Sequence, residues 1–393
     1  MLIKAFRNIV FSCSLLGLIF QSCEKTSPSA FQKNEFIKFY SDAYMNEAVD
    51  MVQVEGLIYL LVNHTDDKDN RWVVLRCVDA YGNVKWEERY GNQAGDENNW
   101  ANALVLLSTS NLAIIGTAET DQDTLFTDVK LTIIDKNNNR AIVFDSVYND
   151  SLYDEGFCFT EQSAGGYLIL GTKRDVTNNT ILNYRWVLDN DFNITTPATI
   201  GETKFEMLGE LEILNDGRKF LPGNLNNIGG AAIIELEDDG KWVEAFPAFG
   251  SFQGFFAEVD AVDYPKMVTC GFSESGTNGG TDAYLSIIDY DGQSTDWSID
   301  FGGNGNDDAT SMIYTNNNNI LMTGKQTLSG HSDIYVLQVN NEGVPLDTLY
   351  FGGQDNEYST KILPDLDNPD AFLVFGTSSR GDYSFSVLIK SKF

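Results

Sequence analysis

Short hydrophobic runs, separated by clusters of Asp, Asn and Gly, occupy most of the chain after about residue 35. Residues 320–324, 333–339 and 346–351 are three of these runs, and each has the length and the β-branched or aromatic content of a strand. The Asp, Asn and Gly clusters supply the backbone conformations that tight hairpins need. No long stretch has the spacing of an amphipathic helix. The pattern therefore predicts antiparallel strands and an all-β fold.

Three sequence markers return together about every 50 residues. A run ending in glycine recurs at Gly116, Gly171, Gly223, Gly271, Gly324 and Gly376. A hairpin cluster follows the next run, beginning at Asp79, Asp135, Asp189, Glu237, Asp289 and Asn340. An aromatic-glycine pair ends the fourth run, as in Phe301-Gly302 and Phe351-Gly352. Repeats of this length with four strands each are typical of propellers. Counting from Val49 gives seven copies, which predicts a seven-bladed β-propeller of four-stranded antiparallel blades.

The two ends of the repeat region complete one another. The last copy contains only three strand-like runs before the chain ends at Phe393. Residues 35–40 (Glu-Phe-Ile-Lys-Phe-Tyr) match the missing fourth run and precede the first copy. We therefore expect an N-terminal strand to close the ring against the last blade, which removes the open edges of a linear array.

The amino terminus has the features of an export signal. Lys4 and Arg7 precede an apolar run over residues 9–20, which is too short to cross a bilayer as a mature anchor. The following Phe20-Gln21-Ser22-Cys23 resembles the lipobox of bacterial lipoproteins, in which the cysteine is acylated, for example with palmitate. This predicts a signal peptide over residues 1–22, an acylated tether over 23–34 and the propeller domain over 35–393. An ordinary secretory peptide cleaved elsewhere, with Cys23 left free, is the alternative.

The repeats resemble a known protein family. Gly302-Gly303 followed by Asp307-Asp308, Gly165-Gly166-Tyr167, and Asp282-Ala-Tyr284 followed by Asp289 are similar to propeller repeats of exported proteins and lipoproteins that are common in Bacteroidota. The resemblance covers about residues 35–393, with the fourth copy the least regular. It implies a propeller fold and an exported, lipid-anchored protein of the outer membrane, facing the periplasm or the cell surface. It implies no single activity.

The chain is strongly acidic, with a formal net charge of −31. The first 22 residues carry only Lys4 and Arg7, so the remainder has −31 − 2 = −33. A surface of this sign repels nucleic-acid phosphates, which excludes a nucleic-acid partner, whereas cations and basic partners are attracted.

One further regularity is an acidic residue just before each predicted first strand. The seven residues are Glu47, Glu97, Glu155, Glu206, Glu258, Asp308 and Glu357, and Asp96, Asp154 and Asp307 add second acids. Because the first strand of a propeller blade lines the central channel, we expect these carboxylates to surround the channel mouth. They suit a Ca²⁺ ion or a polyhydroxyl ligand. Alternatively, each accepts hydrogen bonds from N–H groups of its own turn.

Residue types that carry enzyme chemistry are few, so whether the chain is an enzyme stays open. His64 and His331 belong to separate blades and are expected in loops. Cys77, Cys158 and Cys270 fall in blades 1, 3 and 5, too far apart to pair, and are expected to be buried. The sequence predicts no catalytic residue and no dedicated metal ligand. Acid pairs alone leave glycoside hydrolysis open.

Two functions fit these features. The first is a non-catalytic, lipid-anchored envelope protein whose propeller binds or scaffolds a protein partner or a glycan. The second is a secreted carbohydrate-active enzyme, a glycoside hydrolase or lyase, that uses the carboxylates at the channel mouth. The sequence leaves the ligand, the leaflet orientation and the oligomeric state undecided.

Overall fold

A computed structural model describes residues 35–41, 45–90, 98–121, 126–148, 153–175, 180–200, 205–207, 209–214, 216–225, 230–247, 254–274, 279–328 and 330–393. These residues form 29 β-strands. The first strands of successive repeats are β2 (Met45–Val54), β6 (Asn99–Leu106), β10 (Tyr153–Glu161), β14 (Phe205–Met207) with β15 (Glu212–Ile213), β19 (Gly254–Asp263), β23 (Asp308–Tyr314) and β27 (Asn356–Pro364). The second strands are β3 (Leu57–Thr65), β7 (Leu112–Asp121), β11 (Tyr167–Asp175), β16 (Lys219–Leu225), β20 (Lys266–Ser273), β24 (Asn319–Leu328) and β28 (Phe372–Arg380).

The third strands are β4 (Arg71–Asp79), β8 (Phe126–Asp135), β12 (Thr180–Leu188), β17 (Gly230–Leu236), β21 (Asp282–Asp289), β25 (His331–Asn340) and β29 (Tyr383–Ser391). The fourth strands are β5 (Val84–Tyr90), β9 (Ala141–Tyr148), β13 (Ile194–Thr199), β18 (Trp242–Pro247), β22 (Ser294–Phe301), β26 (Pro345–Phe351) and, from the other end of the chain, β1 (Phe36–Tyr40). Within the described residues, no helix is long and apolar enough to cross a membrane.

The strands form seven antiparallel sheets, each built from one repeat. First strands of most neighbouring sheets contact one another, β12 of blade 3 contacts β14 of blade 4, and β2 of the first sheet contacts β27 of the last. The sheets are therefore the blades of a closed ring, with the first strands lining a central channel. The prediction of a seven-bladed β-propeller is confirmed. We call the end where the inner strands begin the front face and the end where they finish the back face.

The ring closes through the N-terminal strand, as expected from the sequence. β1 pairs antiparallel with β29, and Ile37 lies opposite Ile389 while Phe39 lies opposite Val387. The hydroxyl of Tyr40 donates to the carbonyl of Gly82 in blade 1 over 2.9 Å. The last blade is thus completed by residues from the start of the propeller and is tied to its neighbour.

The hydrophobic core lies between the blades. Seven clusters of buried side chains are found among the described residues, and each contains residues of two adjacent blades. Leu60 and Val62 of β3 face blade 7, whereas Leu61 of the same strand faces blade 2. Both faces of a blade are therefore buried, which explains why the second and third runs are continuously hydrophobic instead of alternating.

A β-bulge in the inner strands accounts for the glycine marker. The pairing of β23 with β24 shifts between Ala309 and Ser311, and five other inner strands shift at the equivalent point. A Cβ on Gly324 would lie 1.9 Å from the carbonyl oxygen of Asp308, and Gly116 and Gly171 are equally confined. In these blades the second strand therefore needs glycine where the bulged strand approaches it most closely, whereas blade 1 has Val62 at this position.

The hairpin marker corresponds to turns held by side chains. The carboxylate of Asp79 accepts the N–H groups of Tyr81 and Asn83 over 3.0 and 2.9 Å, and Asp189 holds its own hairpin in the same way. Gly82 has a φ of +73° in the first of these turns. Such Asx turns fix the hairpin between the third and fourth strands.

Blade 4 departs most from the repeat, as the sequence indicated. Its inner strand is divided into β14 and β15, both of which pair with β16. Pro222 lies within β16 and is opposite Ile233. The division leaves residues 209–211 outside the ladder, next to the channel.

Candidate functional site

The predicted front-face acids do not share one level of the channel. Four of the acids come one residue before the inner-strand residue that pairs with the marker-glycine position of the second strand: Glu47, Glu155, Glu206 and Asp308. Glu357 lies one residue earlier, and Glu258 follows the bulge and is deeper in the channel. The expectation that the acids precede their strands is corrected: Glu47, Glu155 and Glu258 lie inside β2, β10 and β19, because the inner strands begin before their apolar runs. Cys23, Asp96 and Glu97 lie outside the described residues.

Two of these acids make contacts within their own blades. Asp308 pairs with Lys325, with 2.9 Å between Oδ2 and Nζ. Glu357 accepts the hydroxyl of Ser378 over 2.9 Å. Burial raises the pKa of Glu357, and it also raises that of Glu47 and Glu155. Their role toward a ligand stays a prediction.

The two second acids that the structure describes, Asp154 and Asp307, are buried. The carboxylate of Asp307 accepts the N–H groups of Gly303 and Thr327 over 2.5 and 2.6 Å, so it orders the loop that leads into blade 6. Asp154 is fully buried, and burial together with the charge of Asp128 raises its pKa to about 7.

Four charged side chains meet inside the channel, and we call them the channel cluster: Asp50, Glu210, Glu258 and Lys361. They come from blades 1, 4, 5 and 7. The ammonium group of Lys361 lies 3.3 Å from Glu258 Oε1 and forms a second ion pair with Glu210 Oε2. Because blade 4 lies across the ring from blade 7, the Lys361–Glu210 pair crosses the channel.

The inner-strand bulges position this cluster. Asp50, Glu258 and Lys361 are each the first paired residue after the bulge in β2, β19 and β27. A bulge bends the strand and redirects the following side chain. Glu210 reaches the same region because it lies in the interruption between β14 and β15.

The cluster acids also join neighbouring blades. The N–H of Leu104 in blade 2 donates to Asp50 Oδ2 over 2.7 Å, and the N–H of Met312 in blade 6 donates to Glu258 Oε2 over 2.5 Å. Ser311 of blade 6 accepts the N–H of Ile362 in blade 7 in the same manner. The residue after the bulge thus satisfies a backbone donor of the next inner strand.

Negative charge exceeds positive charge in the cluster. Burial raises the pKa of Asp50 to about 7, and the charge of Glu210 reinforces this shift. Burial also raises the pKa of Glu258 to about 7, although Lys361 opposes the change. Burial alone would lower the pKa of Lys361, but the surrounding carboxylates hold it above its ordinary value. The lysine is therefore charged and faces three carboxyl groups.

Two cavities lie on either side of the ion pair. The back cavity, of about 470 Å³, extends from the cluster towards the ends of the inner strands, and the front cavity, of about 260 Å³, lies at the level of the bulges. Lys361 and Glu210 border both cavities. Three exposed apolar side chains line the back cavity: Leu106 (38%), Ile213 (42%) and Leu366 (64%). Another cavity, of about 540 Å³, shares Leu366 with it.

Sequence reasoning included Glu258 but missed Asp50, Glu210 and Lys361. A usable signal exists in the first runs of blades 1, 5, 6 and 7, which share the order small or apolar residue, any residue, polar residue, apolar residue. Ala48-Val-Asp50-Met and Ser359-Thr-Lys361-Ile are examples. Aligning the runs on this order instead of on the nearest acid identifies the channel-facing position in these blades.

Other chemistry-bearing residues are dispersed. His64 and His331 do lie in separate blades, but in strands β3 and β25, which corrects the expectation of loops. Cys77, Cys158 and Cys270 are buried and free, in blades 1, 3 and 5 as expected. Among the described residues, no group of three or more His, Cys, Asp or Glu side chains is arranged to hold a metal ion.

Known structures resemble the chain in fold. The Dos1 propeller matches with a TM-score of 0.53 and 8% identity over 91% of this chain and 96% of that one. YCF48 bound to D1 peptide matches with 0.56 and 11% over 92% and 96%, and the polysaccharide lyase Uly1 with 0.53 and 9% over 92% and 99%. No protein-family model and no curated protein matches the chain. At these identities the likeness is one of fold alone.

Proposed function

We propose that this chain is a lipid-anchored envelope protein whose propeller binds a protein partner without catalysing a reaction. The observation that carries the proposal is the back cavity, an apolar-rimmed concavity of about 470 Å³ held by the inner strands of a closed ring. Such a rigid, preformed concavity is suited to binding, because little conformational freedom is lost on association.

The state of the charged groups favours binding over catalysis. Asp50 and Glu258 accept backbone N–H groups of adjacent blades, and Lys361 is shared between Glu210 and Glu258. These contacts engage the charged groups in holding the ring together. A catalytic acid or base needs a side chain that is free to reach substrate.

The membrane anchor is proposed from the amino terminus. Acylation is supported by the apolar run, by Lys4 and Arg7 before it, and by Cys23 after it. The same features support an outer-membrane location, facing the periplasm or the surface. The Bacteroidota-type repeats agree with this location. Labelling cells with an alkyne analogue of palmitate should mark the wild-type chain and the Cys13→Ser control. Cys23→Ser should lose the label, and retention of label in that variant would contradict the anchor.

Crosslinking in intact cells, followed by pull-down of the anchored chain, tests the partner. A specific crosslinked protein supports the proposal, and recovery of monomer alone counts against it. Protease shaving of whole cells decides between periplasmic and surface-facing orientation.

A carbohydrate-active enzyme is the second candidate, and the pKa of Glu258 favours it, since a carboxyl group that titrates near 7 suits a general acid. Incubation with a panel of polysaccharides distinguishes the two functions. New reducing ends, lost in Glu258→Gln, would identify a hydrolase, and unsaturated products a lyase. We expect neither product.

A further inference from the structure

We propose that the back cavity receives a partner segment in which a lysine or arginine side chain is flanked by apolar side chains. The cation would reach Glu210 at the cavity floor, and the apolar groups would cover the rim. The inference rests on the proposed binding function and adds the chemistry of the partner and the face that it occupies.

The apolar rim indicates a protein segment. Leu106, Ile213 and Leu366 come from blades 2, 4 and 7, yet all three line one cavity and are exposed. Apolar side chains gathered around a concavity are typical of interaction sites. The wall behind them includes Met51 and Leu363. A glycan would need a wall richer in hydrogen-bonding groups, so the lining favours apolar side chains of a protein.

The charge of the floor selects a cation. The cluster holds three carboxyl groups against one ammonium group, and half of the Glu210 side chain is exposed. A carboxylate has about four lone-pair sites, so Glu210 can accept a second donor beside Lys361. Asp367 and Asp370, on the exposed loop that carries Leu366, have the same sign. A basic segment is therefore attracted to this face and stabilised within it.

The shape of a basic side chain suits the cavity. Lysine and arginine carry a polar group at the end of an apolar stem. The stem would lie along the apolar wall while the charged end reaches Glu210.

Fluorescence anisotropy with labelled peptides tests the inference on the full chain in detergent micelles. The probe is Ala-Leu-Leu-Lys-Phe-Leu-Ala with blocked ends. Matched peptides carry acetyl-lysine or Glu in place of Lys, or Ser in place of Leu and Phe. We expect the lysine peptide to bind and the acetylated peptide to bind at least about tenfold more weakly. The Glu and Ser peptides should not bind measurably.

Two variants locate the binding. Glu210→Gln should weaken binding of the lysine peptide about tenfold, and Leu366→Ser should weaken it severalfold. Glu342→Gln and Leu346→Ser, which make the same changes at exposed positions of blade 6, should leave affinity unchanged. Melting temperatures confirm that each variant is folded.

Three outcomes of the peptide assay would overturn the inference: no binding of the lysine peptide, equal binding of the Glu peptide, or binding that is unchanged in both Glu210→Gln and Leu366→Ser. A glycan that binds in the back cavity would overturn it as well. The proposed function fails separately. If cell crosslinking finds a protein partner while the peptides do not bind, the binding function stands and only the partner chemistry is wrong.

Discussion

At the scale of single residues, the position after each inner-strand bulge decides what faces the channel. Asp50, Glu258 and Lys361 occupy it in three blades, whereas Cys158 and Ser311 occupy it in two others. The backbone geometry is repeated, but the side chain is free to vary. The side chain that a bulged blade contributes at this position therefore differs from blade to blade.

The marker glycine beside the bulge provides a test. Gly324→Ala would place a Cβ 1.9 Å from the Asp308 carbonyl oxygen, so the two strands must separate. We expect the free energy of unfolding to fall by about 1–3 kcal/mol in chemical denaturation. Gly353→Ala is the control, because nothing lies within 4 Å of its Cβ, and it should change stability by less than about 0.5 kcal/mol. Equal effects would contradict the role of the bulge.

The glycine marker was predictable from the sequence, whereas the channel cluster was only partly so. A glycine requirement is local and recurs in six of the seven copies, so it leaves a periodic trace. The Lys361–Glu210 pair joins residues 151 positions apart in opposite blades, and it occurs once. A single long-range pair leaves no repeat in the sequence, and Glu210 lies where blade 4 breaks the pattern.

At the scale of elements, the ring is closed by β1, a strand from the start of the propeller that completes the last blade. The ring of Tyr40 in β1 packs with core residues of blades 7 and 1, and the Arg76 guanidinium lies 4.8 Å from its centre. Its neighbour Phe39 points outward and is 58% exposed. The contacts of β1 with the rest of the ring are therefore concentrated on one face.

Tyr40→Ala tests the contribution of this closing strand. We expect the free energy of unfolding to fall by about 2–4 kcal/mol, because a buried ring and its hydrogen bond are lost. Phe39→Ala, on the exposed face of the same strand, should cost less than about 1 kcal/mol. Denaturant unfolding of both variants measures the difference. A small effect of Tyr40→Ala would mean that β1 is peripheral to the fold.

The elements themselves were largely predictable, because hairpin clusters and hydrophobic runs are local signals. Even the closing strand was found, since residues 35–40 match the run that the last copy lacks. The sequence pattern did not predict where the inner strands begin. In β2, Asn46 precedes the apolar run but is buried, with its N–H donating to Ser384 of blade 7. In the sequence, such a polar residue resembles a loop residue, because its hydrogen-bond partner lies in another blade.

At the scale of the whole molecule, acidic residues form two populations with opposite responses to pH. Hairpin acids on the outside accept backbone N–H groups: that of Asn193 lowers the pKa of Asp189, and that of Gly292 lowers the pKa of Asp289. In the channel, burial raises the pKa of Asp50 and Glu258 to about 7. The fold therefore lowers the pKa of acids at its rim and raises the pKa of these two acids at its centre.

This division predicts a stability maximum at mildly acidic pH. Between about pH 4.5 and 7, folded Glu258 and Asp50 retain protons that the unfolded chain releases, so stability falls as the pH rises through this interval. Below about pH 4, the unfolded chain binds protons before Asp189 and Asp289 do in the folded state, so stability falls again.

Melting temperatures measured from pH 3 to 9 should therefore be highest at about pH 5. Glu258→Gln removes one of the four carboxyl groups whose pKa is raised to about 7, the others being Asp50, Asp154 and Glu212, so the decline between pH 5 and 8 should become shallower. Glu342→Gln, on an exposed hairpin, should give a curve parallel to that of the wild type. A wild-type melting temperature that rises steadily from pH 5 to 8 would contradict the raised pKa values of the channel acids. It would mean that these acids are already ionised in the folded protein at pH 5.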